Sequence, residues 1–322
     1  MTGKICGTGS CIPEAVWDNQ KLSEMVETSD EWIRERTGVA ARHIALGEET
    51  TVSLAAGAAR AALENAGMSP EEIQLIIVAT VSPDKLMPTT SCEVQKQIGA
   101  VNATCFDLNA ACTGFLFALN TAQAYLSQGI YRTALIIGAE SLSQLTNWED
   151  RSTCILFGDG AGAAVLRASE TGIYGLVTHS VGDMGEVLTC SSRNRKEYAN
   201  GPAAPETYMQ MNGKEVFKFA VSKVPEVIGE LLEQEGLTTA DIRYFLLHQA
   251  NERIVRSVAK RMKTDMERFP VNIENYGNTS SASIPILMDE MNRKGLLKPG
   301  DKLIFSGFGA GLSYGASLME WQ

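Results

Sequence analysis

The chain repeats itself. Gly67–Val78 and Gly236–Leu247 align without a gap, each running from a glycine stop through a capped turn into an apolar strand. Both follow a helical segment, ending Leu63-Glu64 in one case and Leu232-Glu233 in the other. At nearly the same offset, the strand Ala134–Gly138 corresponds to Lys302–Ser306. Repetition of helix and strand in order marks an internal duplication. Strands such as Leu75–Val81 are apolar without alternation, which is the pattern of strands buried on both faces in mostly parallel sheets covered by helices. The spacing therefore predicts an α/β protein of two related halves, residues 1–170 and 171–322. A chain of 322 residues is long for one compact unit and suits that division.

Local punctuation supports the reading. Ser69-Pro70 with Glu72 reads as a capping box with proline at the first helical position, and Thr90 with Glu93 reads as a second box. Residues 183–213 are rich in Gly, Pro, Ser and Asn and include Asn200-Gly201-Pro202, which predicts a surface excursion, a flap over a site.

Several function classes fall away early. The apolar runs are strand-sized, so no membrane span is expected, and the N-terminus lacks the apolar segment of a secretory signal. Seven cysteines, an odd number without Cys-x-x-Cys pairs, argue against a disulfide framework or a zinc site and place the chain in a reducing cytoplasm. A formal charge of −10 disfavours nonspecific nucleic-acid binding. Lys218, Arg253, Arg256, Lys260 and Arg261 nonetheless supply a local basic patch, or simply a solvated helix face.

Cys112 stands in a turn of small residues, Asp107–Phe115, and Phe115, Leu119, Ala122 and Leu126 then recur at helical spacing. A cysteine at a helix start is open to thiolate formation, because the partial positive charge there lowers its pKa. It can also be a small thiol filling a gap. The duplication bears on the choice, since Cys112 moved by the strand offset lands in Tyr276–Pro285, another loop of small residues entering a helix. Under a pseudo-twofold, these loops meet at the strand ends where α/β proteins place ligands. His248 closes the apolar strand Tyr244–Leu247 at the same end, so Cys112, His248 and Asn278 become expected neighbours. His43 and His179 follow no long apolar strand and read as structural.

Two glycine motifs remain. Gly158–Ala163 formally matches a dinucleotide fingerprint, but Ala164–Leu166 reads as strand, so a hairpin turn joining Cys154–Phe157 to that strand is the better expectation. Gly307–Gly311 follows strand Leu303–Phe305 and lacks a P-loop lysine; it offers backbone amides for an oxyanion hole, or a tight turn.

Thr28–Ile33 with Arg36-Thr37-Gly38, Asn109–Cys112, Gly158–Gly162, His248–Asn251 and Gly277–Ser280 occur in order, and with these motifs the chain resembles β-ketoacyl-acyl carrier protein synthase III. That family comprises the initiating condensing enzymes of type II fatty-acid synthesis. The resemblance spans essentially the whole chain. It implies a thiolase-like fold, a duplicated layered α-β-α-β-α architecture with two pseudo-twofold-related halves, and a homodimer. It further implies that Cys112 takes an acyl group from acyl-coenzyme A and that malonyl-acyl carrier protein is then decarboxylated and condensed. His248 and Asn278 would stabilise the enolate, with backbone amides of Cys112 and Ala310 as the acyl oxyanion hole. Ala310 stands where the family often has glycine. Thr28, Trp32, Arg36 and Arg151 match coenzyme A-binding positions. Met87, Leu142, Phe157 and Met211 match acyl-pocket positions; Met87, on a loop that in the family reaches across the dimer interface, replaces a frequent phenylalanine, which suggests tolerance of longer or branched primers beyond acetyl. Lys218, Arg253 and Lys260 match the carrier-protein docking patch, while Glu252 departs from the apolar residue common there. No metal and no cofactor are implied; the coenzyme A thioester is a substrate. Two other readings fit these residues less well: a homologous acyltransferase or condensing enzyme of specialised metabolism, and a catalytically silent carrier-protein-binding scaffold.

Overall fold

A computed structural model describes residues 1–191 and 208–322. Two sheets carry the architecture. The first contains β1 (Thr2–Cys11), β2 (Leu75–Ala79), β3 (Thr104–Leu108), β4 (Thr133–Glu140) and β5 (Gly160–Ser169), in the order β1-β5-β4-β2-β3. The second contains β6 (Tyr174–Ser180), β7 (Tyr244–Leu247), β8 (Lys302–Gly309) and β9 (Ser313–Glu320), in the order β6-β9-β8-β7. In both, a parallel pair (β4 with β2; β8 with β7) continues through two antiparallel neighbours. The duplication is thus one of topology as well as sequence. Strand β3 has no counterpart; its equivalent segment contains the short helix Ile273–Tyr276. The division at 170 and 171 falls between β5 and β6.

The named helices are α1 (Asp30–Thr37), α2 (Thr51–Ala66), α3 (Thr90–Ile98), α4 (Gly114–Ser127), α5 (Gly213–Gln234), α6 (Glu252–Arg261) and α7 (Ser283–Arg293). Five layers follow from which side of each strand they cover. Leu75 and Ile77 of β2, with Leu303 and Phe305 of β8, face a central layer made by Phe115 and Leu119 of α4 and Ile284 and Met288 of α7. The alternate residues Ile76 and Val78 face α2 and α3, whereas Phe245, Leu247 and Ile304 face α5 and α6. Each fully buried Leu or Ile contributes about 1.5–3 kcal/mol relative to exposure, so continuous apolar strands are stable only with helices on both faces.

The repeated segments fold alike for identical local reasons. Gly67 and Gly236 take left-handed φ values of 59° and 66°, where a side chain would be strained. The Glu72 carboxylate accepts from the Ser69 N–H at 2.9 Å, and Asp241 accepts from the Thr238 N–H at 2.8 Å.

Two local expectations need correction. Thr90 does not open a capping box with Glu93: Asp107, from the neighbouring strand, accepts from the Thr90 and Ser91 N–H groups at 2.7 and 2.8 Å. A carboxylate that satisfies two N–H groups of the first turn leaves the local box nothing to do. Nor is Gly158–Ala163 a hairpin, because Cys154 ends the short helix Arg151–Cys154 and β5 begins only at Gly160. Its glycines instead admit the second half. A Cβ at Gly162 would lie 2.6 Å from the Ile286 nitrogen, and one at Gly158 would collide with the Tyr276 carbonyl.

Of the segment 183–213, the described ends form the pair Leu188–Thr189 with Gln210–Met211. Asn200-Gly201-Pro202 lies outside the described residues. Among the described residues no helix is long and apolar enough to cross a membrane.

Candidate active site

The two loops that the duplication relates meet at the ends of the central strands. After β3, the Asn109 Oδ1 accepts from the Ala111 N–H at 3.2 Å, Ala111 turns left-handed at φ 47°, and a 3-10 turn, Ala111–Thr113, leads into α4. In the second half the Asn278 Oδ1 accepts from the Ser280 N–H at 2.9 Å, Ser280 has φ 49°, and the 3-10 turn Ser280–Ala282 leads into α7. These pairs share the sequence separation of Gly67 and Gly236. Cys112 and Ser281 therefore occupy equivalent positions. Gly114 brings them together, since a Cβ there would lie 3.2 Å from the Ser281 Cβ.

Cys112 opens onto a cavity of about 980 Å³ that His248, Asn278 and Ala310 also line. The structure thus brings Cys112, His248 and Asn278 to one cavity with Ala310. Gly309 explains how Ala310 comes so near, because a Cβ at Gly309 would lie only 2.7 Å from the Cys112 nitrogen. Asn278 is pinned from the first half: its N–H donates to the Leu156 carbonyl at 2.8 Å, and its own carbonyl accepts from the Gly158 N–H at 3.1 Å. With its side-chain oxygen engaged by Ser280, the amide NH2 is the group left for a ligand.

His248 extends β7, its N–H donating to the Ser306 carbonyl at 2.9 Å. Its Nδ1 lies 2.7 Å from the Ser283 Oγ, which also accepts from the Gln249 N–H at 3.3 Å. That arrangement lets the single Ser283 hydrogen go to Nδ1, which makes Nε2 the protonated nitrogen and a donor. Burial pulls the imidazole pKa down to about 3, so the ring is neutral at physiological pH.

Cys112 differs from the sequence expectation. Burial pushes its thiol up to about 12, the Glu140 carboxylate adds to the rise, and the Ser280 hydroxyl and the cysteine's own N–H oppose it. The residue is only partly buried and lines the cavity, yet the surroundings of its sulfur solvate a charge poorly. Helix α4 begins only at Gly114, so Cys112 sits in the preceding 3-10 turn, and desolvation outweighs the helix-end effect. The resting sulfur is a thiol rather than a standing thiolate.

At the cavity rim, the Arg36 and Arg151 guanidiniums lie 4.6 and 4.8 Å from the Trp32 ring centroid. Ser29 caps α1 by accepting from the Trp32 N–H at 3.2 Å, which fixes the indole's starting direction. Trp32 and Arg36 line the cavity, Arg151 donates to the Glu27 carbonyl at 2.7 Å, and the Thr28 hydroxyl is buried without a partner. Leu142, Phe157 and Met211 line the same cavity. Met87 does not; it is 85% exposed, beside exposed Leu86. Lys218, Arg253 and Lys260 are exposed on the packed helices α5 and α6, and Arg253 reaches the rim. Glu252 holds Arg256 in an ion pair.

Sequence reasoning missed Lys214 and Phe217, the wall residues Leu145, Ile155, Leu188 and Met209, and Ser280, which shares the cavity wall with Cys112. Only Ser280 left a usable signal, as the counterpart of Ala111 beside the cysteine.

The chain matches family models described as 3-oxoacyl-[acyl-carrier-protein (ACP)] synthase III over residues 106–184 and as its C-terminal part over residues 232–321. It is 48% identical over 320 residues to the β-ketoacyl-[acyl-carrier-protein] synthase III of Clostridium acetobutylicum, covering 99% of this chain and 98% of that protein. The crystal structure of 3-oxoacyl-[acyl-carrier-protein] synthase III from Aquifex aeolicus is 42% identical with a TM-score of 0.92, over 99% of this chain and 100% of that one. The priming β-ketosynthase from the R1128 polyketide biosynthetic pathway is 36% identical with a TM-score of 0.94, over 100% and 97% of the two chains.

Proposed function

The chain belongs to the β-ketoacyl-[acyl-carrier-protein] synthase III family, and from that premise we propose how its residues carry out the family's reaction. It is an acyltransferase that condenses acyl-coenzyme A with malonyl-acyl carrier protein to begin fatty-acid synthesis. The meeting of Cys112, His248, Asn278 and the Ala310 turn in one cavity carries the assignment of roles.

The Cys112 sulfur attacks the thioester carbonyl of acyl-coenzyme A, and coenzyme A departs with the proton. A thiol suits this step because it is both a nucleophile and a leaving group. The oxyanion is held by the Cys112 and Ala310 N–H groups. Malonyl-acyl carrier protein then enters and the bond to its terminal carboxylate breaks. Carbon dioxide leaves, and the electron pair moves to the thioester oxygen. His248 Nε2–H and the Asn278 NH2 donate to that oxygen. Neither donation requires a buried imidazolium. The enolate carbon attacks the acyl-cysteine, and collapse expels the Cys112 thiolate, which takes up a proton from solvent to restore the resting thiol. No cofactor enters the scheme; coenzyme A is part of a substrate.

Trp32 and its flanking arginines form the coenzyme A mouth together with Thr28: the indole offers a stacking face and the arginines meet phosphates. Trp32→Ala raises the KM for acyl-coenzyme A about tenfold, the equivalent of 1 to 1.5 kcal/mol of stacking, with little change in kcat. An unchanged KM in steady-state assays removes Trp32 from the site.

The inner wall of Leu142, Phe157 and Met211 receives the acyl chain. Each buried methylene contributes about 0.8 kcal/mol, which offsets the cost of fitting a longer chain, and four- and five-carbon primers, straight or branched, are used within about tenfold of acetyl. Strict acetyl preference in a comparison of kcat/KM across primers contradicts this.

Lys218, Arg253 and Lys260 dock the acidic carrier protein by charge complementarity on an otherwise acidic enzyme. A homodimer is supported by the free edge of β3 and by exposed Leu86 and Met87, which on this reading reaches the partner's acyl pocket. Seven free thiols fit a cytoplasmic location.

The likeness to the R1128 priming enzyme favours a second reading, in which the product enters specialised metabolism. Condensation assays with purified fatty-acid and polyketide carrier proteins separate the two. Product on the fatty-acid carrier supports the first, and product on the polyketide carrier alone supports the second.

A further inference from the structure

Ser280 is a buried polar residue that the proposed chemistry leaves unused. It holds a left-handed φ of 49°, it is 3% exposed, and it lines the cavity with Cys112. Its hydroxyl oxygen is buried without a well-formed hydrogen bond. A buried hydroxyl without a partner is costly in a folded protein, which suits a group whose partner is charged only part of the time.

Ser280 shares the cavity wall with Cys112, and its hydroxyl works against the rise in pKa of both the Cys112 thiol and the Glu140 carboxyl, although it forms no hydrogen bond to either at rest. Glu140 is already served. At the end of β4 and wholly buried, it accepts from the Ser82 hydroxyl at 2.6 Å, the Val81 N–H at 3.0 Å and the Ser281 hydroxyl at 2.8 Å. Cys112 has no comparable set of donors, although burial works strongly against its charged form. The tight packing of Ser281 on Gly114 and of its carbonyl on Gly138 fixes the turn that presents Ser280.

We propose that Ser280 is a hydrogen-bond donor held for the Cys112 sulfur, its one hydroxyl hydrogen turning to that sulfur whenever the sulfur carries negative charge. It does so as acylation begins and again as condensation expels the cysteine. No bond to Ser280 forms or breaks; the hydroxyl only rotates about Cβ–Oγ. The proposal rests on Cys112 being the acylated residue.

The test is the rate of Cys112 alkylation by iodoacetamide between pH 6 and 9, read by intact-protein mass, in the unaltered protein, Ser280→Ala and Ser280→Gly. Glycine removes the hydroxyl and also relieves the left-handed backbone, which separates the two effects. Loss of the donor raises the thiol pKa and lowers the thiolate fraction. Both variants therefore react about three- to tenfold more slowly at each pH, the range allowing for the greater nucleophilicity of a more basic thiolate. Rates within twofold of the unaltered protein in either variant overturn the proposal. Acyl-coenzyme A incubation of the unaltered protein keeps the two levels apart. Absence of an adduct on Cys112 overturns the proposed function and this proposal together, whereas an adduct with unmoved alkylation rates overturns this proposal alone.

Discussion

Replacing Cys112 by serine lowers the rate of β-ketoacyl product formation by at least about three orders of magnitude, or some 4 kcal/mol in the barrier. The change is nearly isosteric, and the turn that holds residue 112 is set by Asn109, Ala111 and Gly309, so circular dichroism and the melting temperature stay close to those of the unaltered protein. What is lost is chemical. A serine hydroxyl is a weaker nucleophile with no base beside it, since His248 is buried, neutral and committed through Nδ1 to Ser283. An oxygen ester would also be a poorer leaving group when the enolate attacks. Steady-state assays with acetyl-coenzyme A and malonyl-acyl carrier protein check this, and retention of more than about a tenth of the activity contradicts it.

His248→Ala and Asn278→Asp each lower condensation by about 10² to 10³, the usual loss for one oxyanion donor, while acyl transfer to residue 112 stays within a few-fold. Aspartate is the more informative change at 278. It keeps the acceptor that the Ser280 N–H needs and puts a second carboxylate oxygen, which repels the growing enolate charge when ionised, where the NH2 donor stood. At 248, alanine removes the acceptor of the Ser283 hydroxyl hydrogen and opens a space beside Phe308, so a drop in stability of a few kcal/mol accompanies the loss of rate. Release of labelled carbon dioxide from malonyl-acyl carrier protein reads the decarboxylation step directly. Equal losses in acylation and decarboxylation would mean that these residues serve the nucleophile rather than the enolate.

Much of this site was legible in the sequence because the duplication writes it twice. Gly67 and Gly236, with the turns after them, announce strands β2 and β7, and the strand offset carries Cys112 into the loop that holds Asn278. His248 was legible because apolar strands end where ligands bind. Other features depend on atoms distant in sequence. Asp107 replaces the local Thr90 box from a neighbouring strand, and Gly158 and Gly162 are glycine because backbone from the other half passes against them. The protonation of Cys112 was misread for a related reason: a helix start is visible in sequence, but the burial that overrides it is created by both halves together. Coenzyme A, acyl-pocket and docking residues came from family resemblance rather than from spacing. The structure places Trp32, Leu142, Phe157 and Met211 on the cavity wall, and Met87, whose implied place is across the dimer interface, stands exposed away from its own protomer's cavity.

The central claim is that one sulfur carries an acyl group between two substrates. Its most direct test is the intact mass of the protein after brief exposure to a mixture of acyl-coenzyme A primers, followed by addition of malonyl-acyl carrier protein. The unaltered protein gains the mass of a single acyl group, localised by peptide mapping to Cys112, and loses it when malonyl-acyl carrier protein is added. Cys112→Ser gains none. An adduct that persists in Cys112→Ser, or one that malonyl-acyl carrier protein fails to discharge, contradicts the account.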